Sequence, residues 1–459
     1  MRIFFCTFIL CIVGPTMIIN AEDWPQYLGP TRDTVWNEPS VHLNFDEHPP
    51  KLLWSQPIGS GYSGPSVSAN RVFVMDRKSE PYEPEKIKPG TNPNFVRAKI
   101  KGKERVICLS AENGKIVWSH EYDSTYTSVF IYAIGPRTTP LIHDGHVFTL
   151  GAEGQLNAYQ SENGELIWSK NLITDYGIEN PEWGTACHPL IYKETLICTV
   201  GGKGQTLVAF DYKTGKEKWR CLDSKKPGYG TPVIETIHGT EQLIVWHGES
   251  VNGVDPDTGK VYWSVAFKPE FGMAIGAPRV WNDLVYVMGY NGKSGTVKVD
   301  KGSKSASLLW GLDRRLGVAG VINTAHAQNG HIYSAGQRGL FRCVEMMTGK
   351  RLWESRMPLL KKDGSGRGAW PSAFTVYHKP SDQTLIFNDH GEMISAKLMP
   401  QGYEEISRTK IIEPTHSVGG RTLVWSHPAL ADRKLFCRND KEIRCYDLSG
   451  IQIKGENSR

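Results

Sequence analysis

One phrase recurs along this chain and limits what it can become: a short alternating run, an Asn-Gly or Thr-Gly turn, and a Trp four residues after the glycine. It occurs as Glu112–Trp118, Glu162–Trp168, Lys213–Trp219, Asp257–Trp263 and Met347–Trp353, with a degenerate copy from Lys301-Gly302 to Trp310. Trp118, Trp168, Trp219, Trp263, Trp310 and Trp353 follow one another at intervals of 50, 51, 44, 47 and 43 residues. That period suits a four-stranded propeller blade. A chain of 459 residues also exceeds what one simple core fills, and repetition is the way to absorb the excess.

The best-preserved copy shows the internal grammar. Pro140-Leu141-Ile142 leads through Asp144-Gly145 into Val147–Leu150, then Gln155–Tyr159, then Leu166-Ile167-Trp168. Alternating runs separated by such turns read as an antiparallel meander. First strands begin at Pro65, Pro140, Pro189, Pro232, Pro278, His326, Pro371 and Pro428, and outer strands fall at Trp54, Trp118, Trp168, Trp219, Trp263, Trp310, Trp353 and near Ser407. The two counts agree only if Leu52-Leu53-Trp54 supplies the outer strand of the blade whose inner three strands lie between Pro428 and Leu448. The expectation is an all-β, eight-bladed propeller of four-stranded antiparallel blades, closed by its N-terminal strand. Closure hides strand edges and makes capping repeats unnecessary.

Fourteen Trp in a chain that is 39% hydrophobic now have a place. Each ring packs on the neighbouring blade and covers its Gly turn, a structural role. The same alignment puts Cys108, Ala158, Ala209, Gly253, Cys343 and Cys445 in one slot of the third strand, which wants a small buried side chain. Cys437 and Cys445 face each other across a hairpin but on opposite sheet faces, so no disulfide is expected between them. The other cysteines after residue 21 are Cys187, Cys198 and Cys221, and the odd total of seven leaves at least one thiol unpaired.

Residues 1–21 read as a secretory signal peptide cleaved after Ala21: Arg2, an apolar run from Ile3 to Ile19, then Asn20-Ala21. The expected mature domain is 22–459, exported, with no later stretch able to span a membrane. Cleavage removes only Arg2 from the charge count and leaves 52 basic against 48 acidic residues. That balance implies no nucleic-acid partner.

Strand parity puts the loops between blades, and those joining second to third strands, on one face of the ring, with the Gly turns on the other. The between-blade loops carry Gly beside aromatic and basic residues: Gly135-Pro136-Arg137, Glu182-Trp183-Gly184, Gly228-Tyr229-Gly230, Gly368-Ala369-Trp370 and Trp425-Ser426-His427. Glycine lets backbone approach a crowded axis, and Arg with aromatics suits a pocket for a planar or anionic ligand. Arg137, Glu182, Trp183, Tyr229, Arg279, Trp370 and His427 are the candidate ligand-binding residues at the channel mouth. The alternative is a structural plug. His188, His326 and His427 recur near first strands but on different blades, which argues for separate structural residues and no metal site. A Pro- and Lys-rich insertion, 77–103, joins the second and third strands of the first blade on the same face and reads as a solvated flap with a mild pull on anions. Motifs for haem attachment, zinc hydrolysis, phosphate loops and EF-hands are absent.

The Thr-Gly-Lys-x-x-Trp turns resemble the tryptophan-docking repeats of pyrroloquinoline-quinone (PQQ) type propellers, a superfamily of quinoprotein alcohol dehydrogenases and of the propeller lipoprotein of the outer-membrane β-barrel assembly machine. Glu22–Asp33, Gly135–Pro140 and Pro181–Gly184 resemble one branch especially, the secreted PQQ-like propellers of planctomycete-type bacteria. The resemblance covers residues 23–450 and implies fold more than function. Two functions compete. One, resting on the intact ring and the missing redox signature, is a non-catalytic exported binding or scaffold module that takes a protein, peptide or glycan on its loop face. The other, implied by the resemblance together with Arg137 and Trp183 near the axis, is a dehydrogenase that oxidises alcohols or sugars with PQQ and calcium. Against the second, the adjacent disulfide-linked cysteines of those enzymes have no counterpart here, and no calcium ligand set can be assigned by motif.

Overall fold

The computed structural model describes residues 22–81, 95–127, 129–132, 134–368 and 370–450. The expected signal segment and Cys6 and Cys11 lie outside the described residues.

The chain forms eight antiparallel four-stranded sheets arranged as a β-propeller. Blade 1 runs Ser66–Ser68, Arg71–Ser79, Gly102–Ser110, Ile116–Asp123, and blades 2 to 7 start their inner strands at Leu141, Leu190, Val233, Arg279, His326 and Ala373. Blade 8 combines Ala429–Ala431, Lys434–Arg438 and Glu442–Asp447 with Lys51–Pro57 as its outer strand, in the register Leu52 opposite Tyr446 and Trp54 opposite Cys445. Every third-to-fourth strand pairing shifts register at the docking position or its equivalent. A bulge repeated around the rim twists each exposed edge away from flat pairing.

The Trp slot explains the repeat. Trp54, Trp118, Trp168, Trp310 and Trp353 donate from Nε1 to carbonyls of the next blade at 3.0, 3.0, 2.8, 2.7 and 2.7 Å. A Cβ on Gly164, at φ +76°, would stand 2.5 Å from the Trp118 ring, so turn geometry and ring contact both require glycine there. Trp263 departs from the pattern. Its next blade carries the degenerate Gly302 turn, which no ring approaches within 4 Å, and Trp263 Nε1 donates instead to Gln242 within its own blade at 2.7 Å. The third-strand slot is packed as expected: Cys108, Ala158, Ala209, Cys343 and Cys445 are all fully buried, each paired opposite a docking Trp. All seven described cysteines are free thiols.

The segment from Trp24 to Trp36 carries no repeat signal and does something the repeats cannot: it fills the axial channel. Trp24 exchanges backbone bonds with Val67 of blade 1, Pro25 accepts from Ile142 of blade 2, and Arg32 donates to Pro189 O before blade 3. Tyr27 and Leu28 pack in one apolar cluster with Val233 of blade 4. Arg279 of blade 5 donates to Arg32 O, and Tyr27 meets Thr324 ahead of blade 6. Val35–Trp36 adds a parallel strand inside blade 7, and the Tyr27 ring packs edge-on against His427 before blade 8.

The insertion is shorter than 77–103, because Arg71–Ser79 and Gly102–Ser110 pair as far as Ser79 with Gly102. Residues 82–94 lie outside the described residues. The part from 95 to 101 is not a solvated flap: Val96 and Ile100 are buried, and Ile100 pairs with Tyr126.

Candidate functional site

Parity delivers the loops to one place. A cavity of about 580 Å³ opens on the between-blade face, and residues from all eight between-blade loops line it. Its floor is Tyr27 from the plug, stacked on His188 with ring centroids 3.8 Å apart, with His427 edge-on at 4.5 Å. The volume falls in the range of small-molecule sites.

Backbone must come close to build this mouth. A Cβ on Gly135, at φ +108°, would lie 2.5 Å from Gly61 Cα. That approach places Arg137 beside Tyr62, with the guanidinium carbon 5.3 Å from the ring centroid, while Arg137 Nη1 donates to Gly135 O. Trp183 sits inside a tight turn closed by Gly184 N–H to Pro181 O. Its indole donates to the Tyr132 hydroxyl at 2.6 Å and meets Phe130 and Tyr229 edge-on at 5.5 and 5.8 Å. Trp370, held at φ +51°, donates to the Tyr290 hydroxyl at 3.3 Å. An aromatic residue in the left-handed region stores strain, and such strain collects at binding and catalytic sites.

Six of the seven candidates, Arg137, Glu182, Trp183, Tyr229, Trp370 and His427, line this cavity. Arg279 does not. It opens blade 5's inner strand below the mouth, where its guanidinium donates to Ala325 O and Arg32 O at 2.7 and 2.9 Å and ties the plug to the ring. His326 packs between Tyr333 and Tyr377, away from the cavity. Tyr62, Arg97, Tyr132, Trp425 and Tyr27 also line the site and were not among the candidates. Tyr62 follows Gly61 as Tyr229 follows Gly228 in an equivalent loop, and that signal could have found it.

The electrostatics favour an anion. Two lining guanidiniums, Arg97 and Arg137, rest against aromatic faces, and the single lining carboxylate among the described residues, Glu182, faces Lys226 at 3.9 Å. Burial pushes the His427 imidazole down to about 4; burial, His427 and Arg32 hold His188 well below its usual range. Both floor imidazoles are therefore neutral at pH 7. His427 Nδ1–H donates to Pro428 O, so its Nε2 accepts from Thr139. Burial raises the Tyr62, Tyr132 and Tyr229 phenols, which keeps the wall protonated and uncharged.

The PQQ-calcium pair implied by the resemblance can be tested against these donors. Calcium takes six to eight oxygen ligands. The described lining offers one carboxylate, and no three His, Cys, Asp or Glu among the described residues are grouped to hold a metal ion. The donor set of the described lining does not fit calcium-bound quinone.

The fold and site define a propeller with an aromatic, cation-bearing axial cup. A model of the family described as outer membrane protein assembly factor BamB matches residues 102–355, more than half of the 459-residue chain, and the chain belongs to that family. A quinohemoprotein alcohol dehydrogenase, ADH IIB of Pseudomonas putida, is 26% identical over 161 residues, covering 32% of this chain and 21% of the enzyme. A 1-butanol dehydrogenase (quinone) of Thauera butanivorans is 26% identical over 147 residues, 28% of this chain and 23% of the enzyme. The matches thus span less than a quarter of either relative. The designed protein Ika8 shares the fold at TM-score 0.52 and 11% identity, over 86% of this chain and 99% of that one. No helix among the described residues is long and apolar enough to cross a membrane.

Proposed function

We propose that this chain is an exported binding module that takes a protein, peptide or glycan partner on its loop face, with a protruding group of that partner entering the axial cavity. One observation carries the reading: loops from all eight blades line a single cup whose floor is sealed by the plug. A scaffold that needed only stability would have no reason to leave that volume open, since unfilled space forfeits packing contacts. Membership in a family described by an assembly factor supports a polymeric partner. A thermal-shift screen of charged and neutral saccharides, short peptides, and PQQ with calcium tests it. A saccharide or peptide is expected to raise the unfolding midpoint by mass action. Stoichiometric quinone in the purified protein would overturn the reading in favour of a dehydrogenase of alcohols or sugars, which the two quinoprotein relatives support.

A further inference from the structure

We propose that Tyr62 on the cavity wall, backed by His416 and Asp440 behind it, forms an acid–base relay that carries out β-elimination at the end of a uronate-containing glycan. The proposal rests on the cavity being the ligand site and adds a chemical step to it.

The three residues come from distant parts of the chain and meet on the loop face. Tyr62 lies in the loop entering blade 1, His416 in the hairpin His416–Val418 and Arg421–Leu423 before blade 8, and Asp440 in the turn between the second and third strands of blade 8. Asp440 Oδ2 lies 3.0 Å from His416 Nδ1, and its Oδ1 accepts from Gly61 N–H at 3.0 Å. His416 Nε2 lies 2.6 Å from the Tyr62 hydroxyl. A carboxylate on Nδ1 fixes the tautomer with its hydrogen there and leaves Nε2 as an acceptor, so the single hydrogen of the phenol is shared between His416 Nε2 and the Tyr132 carbonyl, which lies 3.1 Å from the hydroxyl. This is the arrangement that activates a hydroxyl: acid, orienting base, and a third group that holds the base.

Burial raises the Tyr62 phenol well above its ordinary value, so it rests protonated and needs the imidazole to act as a base. Arg137 packs over the same ring, close enough to neutralise a substrate carboxylate and stabilise the charge that develops on it. Pyranose rings stack on aromatic walls of the kind found here. The sealed floor admits a chain end, not a chain interior. The described lining carries one carboxylate, Glu182, where hydrolysis by a carboxylate pair uses two.

The step balances without a co-reactant. Tyr62 oxygen takes the proton on the carbon next to the carboxylate while its own proton passes to His416, whose imidazolium pairs with Asp440. The C–H electron pair becomes the C=C bond, and the bond to the neighbouring sugar's oxygen breaks. That oxygen takes a proton from Tyr62, which recovers one from His416. The products are an alcohol and an unsaturated uronate.

The test incubates the full chain with polygalacturonate, alginate and a glucuronate-containing glycosaminoglycan and follows the ultraviolet absorbance of the unsaturated uronate. Wild type is expected to form it from at least one polymer. Tyr62→Phe should lower the rate about 10²- to 10⁴-fold, as loss of a general base does, with oligouronate binding retained in calorimetry. Asp440→Asn should lower kcat with KM unchanged, and Asp440→Glu should restore part of it. Oligouronate bound but never cleaved, or Tyr62→Phe as active as wild type, overturns the relay and leaves the binding module standing. No binding and no cleavage of any of the three polymers overturns the uronate assignment and the relay with it. Cleavage that survives Trp183→Ala and Arg137→Ala together overturns the cavity as its site, and the binding reading falls too.

Discussion

Two glycines in equivalent turns separate the cost of backbone strain from the cost of breaking a blade interface. Gly164 and Gly302 both sit at positive φ, +76° and +94°. A Cβ on Gly302 meets nothing within 4 Å, whereas one on Gly164 stands 2.5 Å from the Trp118 ring. Alanine in the left-handed region costs about 1–2 kcal/mol, offset by about 0.4–1 kcal/mol of lost freedom in the unfolded chain. Gly302→Ala should therefore destabilise by about 1 kcal/mol. Gly164→Ala adds displacement of a packed ring, about 1–3 kcal/mol. It also strains the Trp118 Nε1–H bond to Ser161 O, about 1 kcal/mol. The total is about 3–5 kcal/mol. Urea unfolding followed by Trp fluorescence gives the comparison, read from the midpoints where the slope is unchanged. Equal losses for the two variants would refute Trp docking as the source of interface stability.

Three further outcomes follow from the same structure. Cys108→Ala, Cys343→Ala and Cys445→Ala should each cost about 0–1.5 kcal/mol, because Ala158 and Ala209 fill the same slot; non-reducing mass spectrometry that finds any of the three in a native disulfide contradicts this. Deleting residues 50–56 should strip the outer strand from Glu442–Asp447 and cause aggregation through the bared edge; a soluble monomer on size exclusion would count against it. Acidification should destabilise the fold through His427, whose folded value near 4 lies below the unfolded 6.5. The unfolded chain then binds the extra proton, so this contribution is complete above pH 6.5 and is lost toward pH 4, about 3 kcal/mol. His188, His247 and His326, depressed by burial in the same way, add to the acid dependence, so His427→Gln should make it shallower without abolishing it, and an unchanged pH profile of the unfolding midpoint would exclude the His427 share.

The ring was legible because each of its determinants is local and repeated. A Gly turn, a Trp four residues on and a Pro at the next inner strand mark most of the boundaries, and strand parity then assigns the loops to one face. Arg137, Trp183, Tyr229 and Trp370 were legible too, since each stands beside a glycine or proline in a between-blade loop. The plug was not. Leu28, Arg32 and Thr34 adopt φ of 68°, 59° and 66°, and the segment's contacts are to carbonyls and rings of eight different blades, with no period to betray them. Arg279 went astray for the same reason: the Arg32 carbonyl that claims it exists only because the plug is there. Residues 95–101 read as solvated from their Lys and Pro neighbours, yet Val96 and Ile100 anchor them to the mouth. The relay was invisible because positions 62, 416 and 440 are joined only by ring closure.

The most direct measurement is a thermal-shift screen run side by side on wild type and the double variant Arg137→Ala with Trp183→Ala, using oligouronates, neutral oligosaccharides and short acidic peptides as probes. Both side chains are partly exposed at the mouth, so the variant should keep its fold by circular dichroism. The expected result is a rise in the wild-type midpoint with at least one probe and no rise in the double variant. A probe that stabilises both proteins equally would mean the cluster is a structural plug and the ligand binds elsewhere.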